Sequence, residues 1–177
     1  SQSTPSSMKP PVRQAVPNPL LGKTQFAAIP VDYSTIRIGE KSEAEYMAGK
    51  DDPDSRNSWV GDKVAMNEEF LKGLMAAAHD EGILVSAGGQ AEFIVKPTMD
   101  SVEPGFYTYV VNKASESRMT VRITTADGTV LDEITLVHST AADIIHIASG
   151  HRLRADAEAL GKFTAEYLKS RSAPQAE

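Results

Sequence analysis

The sequence predicts an α+β domain in which a mostly antiparallel sheet carries two main amphipathic helices packed on one face. Residues 62–82 and the stretch from about Gly150 each hold an apolar seam at helical spacing. Between and before them lie short runs rich in β-branched and aromatic residues, some alternating in polarity. Each helical seam is apolar on one side only, so a shared sheet face is the simplest cover for both.

At 177 residues the chain has the usual size of one domain and is long enough to enclose a core. Apolar residues at 41% and charged residues at 24% match ordinary globular usage, which argues against wholesale disorder. Residues 1–24 depart from that average. Five of the ten prolines fall before residue 20 and large apolar groups are few, so composition assigns 1–24 to a disordered tether, 25–169 to a single α+β domain and 170–177 to a disordered tail.

Within the domain, 26–31 and 34–38 read as short extended runs, with Pro30 marking an edge or an interruption. Ser42 and Glu45 have capping-box spacing, which predicts a short helix through 43–48 that stops at Gly49. The polar stretch 50–58 reads as a loop. Asp62 is then the candidate cap of a long helix with Met66, Phe70, Leu71, Leu74, Met75 and Ala78 along its seam, ended by Gly82 in the left-handed conformation.

Residues 83–85 and 91–98 follow as strands, with Gly88 and Gly89 turning between them. Residues 106–111 are a strand or an ordered loop after the Pro104-Gly105 break. The clearest β signal is the alternation through 118–124, the Asp127-Gly128 turn and the run 130–138. A two-residue turn there sets Val121 across from Ile134 and Met119 across from Leu136, a register that is self-consistent except near Asp132. The closing helix takes Ser149 as its cap and has Leu153, Ala157, Leu160, Thr164, Tyr167 and Leu168 on its seam.

A net charge of −6 disfavours nucleic acid as the partner, because phosphate binding needs clustered Lys and Arg. The absence of cysteine removes disulfides, thiolate metal sites and cysteine nucleophiles together. His146 and His151 are five residues apart, roughly 140° around a helix, so one face cannot present both to a single ion. His79 belongs to the end of its helix, where a partial negative charge favours it, and His138 to a strand end. The run Asp51-Asp52-Pro53-Asp54-Ser55 lacks the glycine and distal glutamate of a calcium loop. No Gly-x-Ser-x-Gly elbow surrounds Ser86 or Ser139, and Gly88-Gly89 has no phosphate-loop lysine. The sequence therefore yields no catalytic residue, no metal site and no cofactor. Its binding candidates are aromatic: Trp59 in a polar loop, and Phe106, Tyr107 and Tyr109 beside the Pro-Gly break. The structural alternative is that these aromatics cover the end of the core.

The helix 62–82, the run Ala91-Glu92-Phe93-Ile94-Val95, the run Thr120-Val121-Arg122-Ile123-Thr124-Thr125-Ala126-Asp127-Gly128 and the closing helix together resemble a family of bacterial envelope (periplasmic) lipoproteins of unknown function. The layout is also similar to the N-terminal domain of the Tol-system propeller protein. The resemblance spans residues 25–168 and rests on patterns rather than signatures. It implies a periplasmic or outer-membrane-anchored domain on a Ser/Pro-rich tether, with a signal peptide and a lipidated cysteine before Ser1. The membrane would then be engaged only through that N-terminal anchor. The chain departs from the family in its acidic 50–58 insertion and in carrying no cysteine itself.

The function expected from all this is a non-catalytic binding or scaffold domain of the envelope, not an enzyme, with a protein partner there. A subunit of a larger secretion or virion assembly, pairing through 106–111 as an edge strand, is the first alternative. A small hydrolase using His138 or His146 with a carboxylate from elsewhere is the second.

Overall fold

The computed structural model describes residues 7–88, 90–108, 110–143 and 148–174. The elements run β1 (Ser7–Met8), β2 (Gln25–Ala28), β3 (Arg37–Ile38), β4 (Lys41–Ser42), α1 (Glu43–Ala48), α2 (Pro53–Asp80), β5 (Leu84–Ala87), β6 (Phe93–Glu103), β7 (Phe106–Tyr107), β8 (Asn112–Lys113), β9 (Ser115–Thr125), β10 (Val130–Thr140) and α3 (Ser149–Ser172). The fold is α+β with two main helices, as the seams predict.

The sheet order is β1-β10-β9-β6-β2-β5, with β3 beside β6 and β4. Its middle, β10-β9-β6, is antiparallel, but β2 runs parallel to both β5 and β6, and β3 runs parallel to β6. The sheet is thus mixed. Parallel neighbours need a long crossover, and α2 supplies it between β2 and β5. The short run 83–87 therefore does not turn back against 91–98: β2 lies between them. Pro30 interrupts, ending β2 before the chain rejoins β6 at Asp32. Pro97 is tolerated inside β6 because its carbonyl accepts from the Asp32 amide, which places its missing N–H on the side that β2 has already left.

The β9–β10 hairpin has the predicted register, Val121 with Ile134 and Met119 with Leu136. Its turn does not. Thr125 and Thr129 close three residues with Gly128 at φ +95°, and the ladder shifts between Val130 and Asp132, leaving Leu131 as the extra residue. The two irregularities cancel, which restores the register beyond Asp132.

Of residues 50–58, expected as a loop, only 50–52 are outside a helix; 53–58 are the first turns of α2. Asp52 caps α2 by accepting from the Ser55 amide at 2.8 Å, and Pro53 stands in the first turn, so the helix starts well before Asp62. It ends as predicted, with Gly82 at φ +78° and the Ile83 amide reaching back to Ala78. Ser42 caps α1 as expected, its Oγ accepting from the Glu45 amide at 3.2 Å, while the Glu45 carboxylate accepts from the Ser42 hydroxyl at 3.0 Å, and Gly49 ends the helix. Ser149 is the first residue of α3 rather than its cap; Ala148 occupies the cap position and offers no side-chain acceptor.

Both helices cover one sheet face. Met66, Phe70, Leu74 and Ala78 from α2, and Leu153, Ala157, Leu160 and Leu168 from α3, close over Val95, Met99, Met119, Val121, Ile123, Ile134 and Leu136. The helices cross where Gly73 and Gly161 let the backbones approach: a Cβ at Gly161 would lie 2.2 Å from Phe70 O.

Residues 7–24 differ from the expected tether, and 170–172 from the expected tail. β1 pairs with β10, Leu20 is fully buried, and the Gly22 amide donates to Ser172 O at 2.8 Å. Proline-rich composition predicted disorder from the scarcity of buried side chains; main-chain bonds to an open sheet edge hold this segment instead.

Candidate functional site

The aromatic candidates occupy different environments. Trp59 is on α2, not in a loop, and is 2% exposed. Its Nε1–H donates to Glu43 Oε2 at 2.9 Å, the Tyr46 ring meets it edge-on with centroids 5.3 Å apart, and Lys63 Nζ lies 5.9 Å over it while pairing with Glu43 at 2.8 Å. Burial raises the Glu43 carboxyl, yet the Lys63 and Trp59 hydrogen bonds outweigh it and hold the group below the ordinary glutamate range. Trp59 is therefore a core anchor beneath α1. Phe106 is on the small β7–β8 hairpin and 45% exposed, with Val110 and Val111 nearby at 91% and 57%. Tyr107 shares that hairpin's backbone ladder, and Tyr109 lies outside the described residues. Gly105 is needed at its base: it has φ +67°, and a Cβ there would lie 2.2 Å from Lys113 O.

The inward stripe of β10 is Asp132, Ile134, Leu136, His138 and Thr140, apolar in the middle and polar at both ends. α3 answers each end. At one, Asp156, fully buried between Leu153 and Ala157 on the seam, accepts from Ser115 Oγ at 2.7 Å and from Thr140 Oγ1, and lies 2.7 Å from His138 Nδ1. Ser117 Oγ is more distant at 3.5 Å. Nearby, the buried Arg152 donates through Nε and Nη2 to Pro104 O at 3.1 and 2.8 Å; burial lowers its pKa while Asp156 opposes that.

At the other end Asp132, also fully buried, accepts from Tyr167 Oη at 2.6 Å, Arg171 Nε at 2.7 Å and the Ala15 amide at 3.0 Å. Burial raises the Tyr167 phenol, and the bond to Asp132 adds to that. Gln14 Nε2 donates to the same phenol at 3.1 Å, and Arg171 Nη2 to Ala15 O at 3.1 Å.

The sequence named His138 but not its partner. A carboxylate on the apolar seam of α3, and serines 115 and 117 in the inward register of β9, were the available signals. Both oxygens of the Asp156 carboxylate are taken by protein donors. The Ser115 hydroxyl donates to the Asp156 carboxylate rather than to the His138 imidazole, so His138 is not set to activate Ser115. A cleft at the start of α3 is lined by Asp62, Ser149, Gly150, His151 and Arg154. Asp62 lines it, 3.5 Å from Arg154 and against Gly150, and burial raises its carboxyl against the pull of Arg154. It thus stands at the positive end of α3 rather than capping α2. His146 lies outside the described residues, and no three His, Asp or Glu side chains converge as metal ligands among the described residues. No helix there is long and apolar enough to cross a membrane.

No family model and no curated protein matches the chain. Among solved structures it is similar to a PelC dodecamer from Paraburkholderia phytofirmans, with TM-score 0.50 and 12% identity over 97% of this chain and 100% of that one. A Xanthomonas campestris protein of DUF330 is also found, with TM-score 0.48 and 9% identity over 91% and 94% of the two chains. A minor lipoprotein from Acinetobacter baumannii follows, with TM-score 0.44 and 8% identity over 83% and 94%. The first likeness is one of fold, over nearly the whole of both chains. None of the three is a Tol-system protein.

Proposed function

We propose that the chain is a non-catalytic binding or scaffold domain of the bacterial envelope, derived from a lipoprotein, which meets a protein partner through the β7–β8 hairpin. One observation carries the binding part: Phe106, Val110 and Val111 stand exposed in the β7–β8 hairpin, while Asp132 and Asp156, both fully buried, are hydrogen-bonded inside the fold. Exposed apolar side chains on a hairpin gain by burial against a partner, and closed carboxylates leave little for chemistry. The resemblance of the sequence patterns to envelope lipoproteins supports an envelope setting by analogy.

The test has two arms. A photo-crosslinking residue at Val110, in cells carrying the natural gene, is expected to trap a defined envelope protein, and a Phe106→Ser change to remove the adduct. Fractionation is expected to place the protein in the periplasm or at the outer membrane; recovery wholly in the cytosol would end the envelope reading. A second reading, a subunit of a larger assembly, is favoured by the dodecameric state of the PelC structure.

A further inference from the structure

α2 and α3 cover one face of the sheet, and the outward residues of β6, β9 and β10 form the other. On that open face one cross-strand row holds Lys96, Arg122, Glu133 and Arg13, each opposed to the next. Glu133 is taken by Arg122 Nε at 2.6 Å, whereas the Lys96 and Arg13 side chains make no ion pair or hydrogen bond among the described residues. The following row is uncharged, with Thr98, Thr120 and Thr135. Beyond it stand Arg118 and, on the β6 bulge, Asp100, which accepts from Thr120 Oγ1. At the far end Glu103 is opposed to Glu116 and held by Lys113.

Two features set the row of Lys96 apart. Lys96 stands directly opposite Arg122, and like charges opposed across two strands destabilise the pair. The chain has 24 acids for 18 bases, and on the helix side Lys63, Arg154 and Lys162 are each matched by one, yet Lys96 and Arg13 are left without.

We propose that this row is a contact face for an anionic lipid surface, held by charge at headgroup level without insertion. A single nucleic-acid strand calls for aromatic stacking platforms, and no outward position of β6, β9 or β10 is aromatic. A protein partner calls for an apolar or aromatic anchor at the centre of the contact, and no large apolar residue of these three strands stands exposed. A charged lipid surface needs neither, since each Lys or Arg near it gains separately. The chain also enters the fold at the rim of this face, where Ser7 pairs with Val137. On the lipoprotein reading an anchor ahead of Ser7 brings that rim to the bilayer; the inference shares this point with that reading, is separate from the β7–β8 hairpin, and is tested without an anchor.

With a net charge of −6 the chain as a whole is repelled by an anionic surface, so any attraction has to be local. The full chain, with no lipid attached, is floated with vesicles of equal phosphatidylglycerol and phosphatidylcholine, and with vesicles of phosphatidylcholine alone. Binding is expected to the anionic vesicles only, and to fade as salt rises from about 0.01 to about 0.15 M, where the screening length falls from ~30 to ~8 Å. Lys96→Gln/Arg13→Gln is expected to lower the partition coefficient ~25-fold, about fivefold for each cation. Lys72→Gln/Lys162→Gln removes the same charge from α2 and α3 and is expected to leave partition nearly unchanged. Equal binding to both kinds of vesicle, or equal losses in the two double variants, would overturn the proposal. Capture by immobilised polyglutamate with no binding to the anionic vesicles would overturn it too, and would give the face to an acidic protein. Should the first double variant fail to fold, Lys96→Gln alone is compared with Lys72→Gln.

Discussion

Asp156 shows how a single residue can look like chemistry and act as structure. Its carboxylate takes bonds from Ser115, Thr140 and His138 in a fully buried setting, so its removal strands several buried polar groups at once. Asp156→Ala is expected to cost ~3–5 kcal/mol, as breaking a buried charged network does. Urea unfolding measures it, and a loss below about 1 kcal/mol would contradict the network, since that is the scale of one ordinary hydrogen bond. Trp59 gives the second residue-scale prediction. Because the Glu43 pKa is depressed in the folded state, its contribution is present above the unfolded value, ~4.3, and is lost as pH falls through the lower folded value. The emission of the one tryptophan is expected to shift to the red over that acid window, and Glu43→Gln to abolish the step. What hides Trp59 is its neighbourhood: Asp51 to Ser58 is polar enough to read as loop, which masks the helix-start signal of Asp52 followed by Pro53.

At the scale of elements, the crossing of α2 and α3 depends on two glycines that a helical seam does not reveal. Alanine favours a helix interior over glycine by ~1 kcal/mol, but at Gly161 its methyl would meet Phe70 O at 2.2 Å and Leu74 N at 2.7 Å. The clash wins. Gly161→Ala, and likewise Gly73→Ala against Glu158 O, is expected to destabilise by ~1–3 kcal/mol. Gly61→Ala, on the same α2 but with nothing within 4 Å, is expected to stabilise by up to ~1 kcal/mol. Thermal melts of the three variants decide it, and a gain at Gly161 would mean that the helices are not this close. Seams, the start of α1 at Ser42, the end of α2 at Gly82 and the hairpin register were legible because each depends on residues near in sequence, whereas Asp62 and Ser149 do not cap the helices they were expected to start. The parallel placement of β2 was not, because its partners Leu84–Ala87 follow the whole of α2 and no local pattern encodes them.

For the whole molecule, the N-terminal segment is the part composition misjudged. Its side chains from Met8 to Gln14 are exposed, as a tether's would be, yet its amides are satisfied by β10 and Asp132. Asp132→Asn keeps the shape but weakens what Tyr167, Arg171 and Ala15 share. The expected result is loss of amide hydrogen-exchange protection at Val12, Arg13 and Ala15 well before that of the β9–β10 hairpin, seen by native-state exchange. Uniform loss across the sheet would show instead that the segment and the core open as one unit.

The same arrangement sets an order of events during folding. Ser115 and Thr140, at the open end of the β9–β10 hairpin, are 25 residues apart, whereas Gln14 must wait for Tyr167, 153 residues along the chain. Nearby partners meet first because closing a long loop carries a greater entropy cost. Residues 7–15 therefore stay unclaimed until β10 and α3 are in place. Truncations at Ile134 are expected to slow refolding, while changes at Val12 or Ala15 should leave that rate alone and quicken unfolding, a contrast that stopped-flow chevrons would display.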